Sequence, residues 1–143
     1  VSDTSETQQS NPALAVVWRT GIVAAVVATV INAILFLVGS LFTFPDDAIT
    51  PMGEPISLAL VVIVTFIGGI VATIGYTALT RFLPVKVANR VMWVGAIIVL
   101  LGMGLQPFGI ENVPVAQIII LEIMHLVASL LPVGGLTRFA LHT

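Results

Sequence analysis

The sequence predicts an all-α integral membrane protein, a four-helix bundle with both termini on the cytoplasmic side. Three observations predict it: an apolar composition, four apolar runs long enough to cross a bilayer, and confinement of every Lys and Arg to one side of the resulting topology. Of the 143 residues, 58% are hydrophobic and 8% charged, against roughly 25% charged in a soluble domain. Lipid is the solvent such a chain suits. A net charge of -2 with dispersed cations excludes a phosphate-tracking groove and with it nucleic-acid binding. The chain has no cysteine, which removes disulfides, thiolate metal sites and cysteine nucleophiles. Any metal or cofactor would have to use His, Asp, Glu or backbone groups.

Residues 1–12 are polar and acidic, lack the features of a signal peptide, and are expected to form a disordered tail. Residues 13–143 are expected to be the transmembrane domain. A hydrocarbon core of about 30 Å takes about 20 helical residues. The first span is placed at 16–42, started by Asn11-Pro12 and stopped by Phe44-Pro45-Asp46-Asp47. The second, at 56–79, opens after Glu54-Pro55, since proline suits a first helical turn. The third, at 88–106, is the shortest and ends at Pro107. The fourth, at 114–136, follows Asn112 and carries Pro132, expected to kink or loosen its inner end.

Lys and Arg resist translocation and collect in cytoplasmic segments. Arg19 opens span one, Arg81, Lys86 and Arg90 are placed in the loop between spans two and three, and Arg138 follows span four. That accounts for all 5 basic residues. The opposite loops carry Asp46, Asp47, Glu54 and Glu111 and no cation. Trp18, Tyr76 and Trp93 fall near the same inner boundary and are read as an interfacial aromatic belt. The endings Leu79-Thr80-Arg81-Phe82 and Leu136-Thr137-Arg138-Phe139 match, as a parallel repeat of two hairpins would require. Similar interface positions attracting similar residues account for the match equally well.

Apolar helices gain no hydrophobic energy by associating in lipid, so small residues and polar links must hold them together. Gly21, Ala25, Ala28 and Asn32 share a face of span one, and Thr65, Gly68, Ala72 and Gly75 a face of span two. Gly95 and Gly102 lie two turns apart on span three. All are assigned to helix packing or polar contacts.

Glu122 and His125, three positions apart on span four, are neighbours on one helix face, and Ser129 extends it. They lie about 12 Å and about 16 Å from the outer end, and Asn32 and Thr65 lie at similar depths in their spans. Asn32, Thr65, Glu122 and His125 are therefore expected to form one intramembrane polar layer. A charge there is costly, so Glu122 is expected to be neutral or partnered by His125 or Asn32. The layer admits a proton or ion relay, ligation of haem or a pigment metal by His125, half of a Glu-x-x-His di-metal site, or a hydrogen-bond network that fixes helix register. The last is preferred, because one acid and one imidazole are an incomplete catalytic set. No phosphate loop, HExxH motif or nucleophile elbow occurs. His142, beyond span four, is expected to be solvated.

The expected function is therefore that of an accessory or structural membrane subunit, not an enzyme, with no cofactor and no metal. Its expected partners are the bilayer and either further copies of itself or a larger complex in a bacterial inner membrane. A proton-coupled transporter or channel using Glu122 and His125 is the alternative, and a haem- or pigment-binding subunit the third.

In the Asn32-bearing first span, the basic segment before span three and the run Met124-His125-Leu126-Val127-Ala128, the chain resembles the bacterial family known as domain of unknown function 6069. The resemblance covers nearly all of the membrane region. It implies a small four-helix membrane protein without an assigned activity.

Overall fold

The computed structural model describes residues 13–42, 56–105 and 114–139. They form four helices: α1 Leu14–Ser40, α2 Leu58–Phe82, α3 Val85–Gly104 and α4 Val115–Phe139. Each is long and apolar enough to cross a membrane, and no strand occurs among the described residues. The expected tail, the acidic outer segments with Asp46, Asp47, Glu54 and Glu111, and His142 lie outside the described residues.

Helix boundaries follow local chemistry. The Ser57 hydroxyl accepts a hydrogen bond from the Leu60 amide at 3.2 Å and caps α2. At the other end of α2, Leu83 turns extended, with φ -126° and ψ 149°, as a residue before proline prefers. Pro84 then starts α3, where its missing amide costs nothing. Only Leu83 and Pro84 therefore separate the two helices, which shortens the connection expected over residues 80–87. Arg81 sits in the last turn of α2, and Lys86 and Arg90 in the first turns of α3. α4 runs through Pro132 to Phe139, beyond the expected end.

Small side chains set the packing. A Cβ on Gly21 would overlap the Thr73 side chain, and one on Gly69 would come within 2.9 Å of the Ala25 backbone. The pairs 21–73 and 25–69 step in opposite directions, so α1 and α2 are antiparallel and nearly in backbone contact. On its other side α1 meets α4, where a Cβ on Gly135 would lie 3.1 Å from that of Ala24. α3 packs on α4 and α2 and barely touches α1.

Two apolar clusters lie at the ends of this arrangement. Val17, Tyr76 and Leu136 are buried together, with Ala72 and Met92 against them. Phe36, Val61 and Met124 form the second, flanked by Leu35, Ile56, Ile120 and Leu121. The first cluster joins the start of α1 to the ends of α2 and α4, so Arg19, Arg81, Lys86, Arg90 and Arg138 gather at one end, all exposed. The outward faces are apolar, including Val23, Ile67, Ile98 and Ile119.

Five threonine hydroxyls inside the spans are satisfied within their own helices. Thr29, Thr73, Thr77, Thr80 and Thr137 donate to the carbonyls of Ala25, Gly69, Thr73, Tyr76 and Val133, at 2.8 to 2.9 Å. An unpaired hydroxyl in hydrocarbon is costly, and this back-bonding avoids it. Thr80 and Thr137, matched in the two similar helix endings, behave alike, and Arg81 and Arg138 beside them are exposed.

Candidate functional site

Asn32 is the polar junction of the three most closely packed helices. It is 2% exposed, because the small residues Gly21, Ala24, Ala25 and Ala28 below it let α2 and α4 close over α1. Its Nδ2 donates to Thr65 Oγ1 on α2 at 3.1 Å and to the Met124 carbonyl on α4 at 3.0 Å. Its Oδ1 is buried without a partner. Thr65 is the buried threonine whose hydroxyl turns to a neighbouring helix rather than to its own backbone.

Glu122 and His125 stand apart from this junction. Counted from Val115, they lie about 10 Å and about 15 Å along α4, on the side that meets α3. A Cβ on Gly104 would fall 2.9 Å from Glu122 Oε2, so the carboxyl rests on α3 where that helix has no side chain. Glu122 Oε1 and His125 Nδ1 are 3.8 Å apart, too far for a hydrogen bond, and both atoms are buried without a partner. The two side chains remain 30% and 19% exposed.

The expected single layer is therefore two sites. Asn32 and Thr65 meet, as do Glu122 and His125, but Asn32 bonds the backbone of Met124 and not Glu122. The reason is helical phase: residues 122 and 124 differ by about 200° around α4, so an amide reaching the face of Met124 points away from Glu122. Ser129, one turn beyond His125, hydrogen-bonds neither. No group of three or more His, Cys, Asp or Glu that could hold a metal ion occurs among the described residues. Within them the Glu-x-x-His pair remains half of such a site.

Other expected residues divide in the same way. Gly21, Ala25 and Ala28 are buried on α1, and Ala72 packs against the first cluster. Gly68, Gly75, Gly95 and Gly102 do not pack against another described helix, since a Cβ at any of them would meet nothing within 4 Å. On α2 the buried line is Val61, Thr65, Gly69, Thr73, Tyr76 and Thr80; its i, i+4 steps put Gly69, not Gly68, against α1. Tyr76 is not a belt residue. It is fully buried and donates to Asn89 Oδ1 at 2.9 Å, linking α2 to α3. Trp18 and Trp93 remain half-buried.

Asn89 escaped the sequence reading, although a polar residue one turn into an apolar helix is the available signal. Gly104 and Gly135 also escaped it, because a glycine in an apolar helix does not disclose which neighbour it faces.

Four helices long and apolar enough to cross a membrane, with an outward surface of aliphatic side chains, define a multi-pass membrane protein. More particularly, the chain belongs to a family of unknown function, DUF6069, whose model matches residues 12–142. No curated protein and no solved structure matches it.

Proposed function

We propose that this protein is a small non-catalytic subunit of a bacterial inner membrane that packs with further copies of itself or with a larger membrane complex, both termini being cytoplasmic. The observation that carries the reading is the partial exposure of Glu122 and His125 deep along an apolar helix, where Oε1 and Nδ1 make no hydrogen bond among the described residues. Lipid tails offer such groups no hydrogen bonds, and polar side chains in that situation hold helices of different subunits together. The outward glycines Gly68, Gly75, Gly95 and Gly102 support it, because small residues let a neighbouring backbone approach closely. The orientation is supported by the gathering of all five cations at one end.

Two copies carrying different tags, expressed together and extracted in mild detergent, test the self-packing form. Capture of one tag with the other is expected. Failure to capture, with no stoichiometric membrane partner, removes the reading.

A second reading, a proton-coupled transporter or channel, is favoured by one observation: the unpartnered Oε1 and Nδ1 atoms 3.8 Å apart. A shift of under 1 Å would let them share a proton. Proton flux in liposomes, lost in Glu122→Gln, would place this reading first.

A further inference from the structure

The outer half of α4 presents a seam of exposed side chains. Val115, Ile119 and Leu126 are 72%, 53% and 41% exposed, and Glu122, at the edge toward α3 with its side chain 30% exposed, completes the series. Their spacing of 4, 3 and 4 residues is that of a helix seam packing by knobs into holes. One polar position within an apolar seam is the device that fixes register and subunit number in such pairs. The seam stops in the outer half, because Val133 is buried in the chain's own interior.

We infer that this seam binds the same seam of a second copy, about a two-fold axis parallel to the helices, with each Glu122 meeting the other copy's His125. The inference rests on the self-packing reading and names its surface. Copies inserted in the same orientation bring equal residues to equal depths, so both polar pairs arrive at one level. Acid and imidazole are complementary, and a two-fold relation pairs each with the other's counterpart twice. Any other occupant would have to bring its own donor and acceptor to that depth. The outward faces of α2 and α3 offer no polar group to select a partner: Ile67 and Ile98 stand among aliphatic residues and glycines.

The chain has no cysteine, so single Cys substitutions report the interface cleanly. Ile119→Cys and Leu126→Cys, oxidised in native membranes, are expected to give predominantly cross-linked dimer, while Ile67→Cys and Ile98→Cys stay monomeric. Adding Glu122→Leu to Ile119→Cys is expected to lower the dimer fraction about tenfold, as loss of an intramembrane polar contact implies. Adding Glu122→Gln, which keeps the shape, is expected to preserve it.

Cross-linking at Ile67 or Ile98 instead, or cross-linking at Ile119 undiminished by Glu122→Leu, overturns the seam while leaving self-packing intact. Cross-linking of Ile119→Cys to a different protein overturns the choice of a second copy. A monomer by every probe removes both this inference and the reading beneath it.

Discussion

The amide of Asn32 reaches Thr65 across 3.1 Å while also donating to the Met124 carbonyl at 3.0 Å, so one side chain on α1 holds both α2 and α4. Intramembrane hydrogen bonds contribute about 0.6 kcal/mol on average and up to about 2 kcal/mol. Asn32→Leu, which loses both, is expected to destabilise the protein by about 1–2 kcal/mol. Thr65→Val, which keeps the bond to Met124, should cost about half as much. Reversible unfolding in mixed micelles, read as a double-mutant cycle, measures the coupling. Additive effects of the two substitutions would remove the link.

Gly69→Ala places a Cβ 2.9 Å from the Ala25 backbone, and neither helix can yield cheaply. A cost of about 1–3 kcal/mol is expected, the usual range for overpacking. Gly68→Ala, one residue earlier, enters open space and should change stability by less than about 0.5 kcal/mol. The same unfolding measurement separates them, and equal effects would contradict the α1–α2 register.

Tyr76→Phe keeps the packing against Val17 and Leu136 and removes only the donor to Asn89. A loss of about 1 kcal/mol is expected. Asn89→Ala strips the partner from a buried hydroxyl and should cost at least as much. Because this bond joins α2 to α3, hydrogen exchange at the start of α3 should rise in both variants; unchanged exchange would mean that other contacts hold that end.

Legibility in the sequence followed the physics of each signal. Span number and type were readable because hydropathy and charge segregation act over whole helices, and the four helices lie where the apolar runs do. Facing was readable on α1, where Gly21, Ala25, Ala28 and Asn32 leave few alternatives. It was not readable on α2, where adjacent Gly68 and Gly69 differ by about 100° in phase and only the partner helix distinguishes them. Tyr76 was misplaced for a related reason: its distance from the helix end fits an interface, but its direction, toward Val17 and Asn89, is a property of packing. The polar layer divided because depth was legible and azimuth was not.

Glu122→Gln is expected to leave folded yield in detergent unchanged. Oε1 has no hydrogen bond to lose, and an amide of the same shape still rests against Gly104. Severe loss of folded protein would show that the carboxyl itself holds α3 to α4.

A neighbouring subunit is expected to cover the parts of Glu122 and His125 that stay exposed within the apolar span. The most direct measurement is the protein mass, by light scattering with the detergent contribution subtracted, of the chain purified in mild detergent. A multiple of the 15.0 kDa chain mass is expected for the parent protein, falling toward a single chain in Glu122→Leu. A single-chain mass for the parent at all accessible concentrations, with no second protein bound, would contradict it.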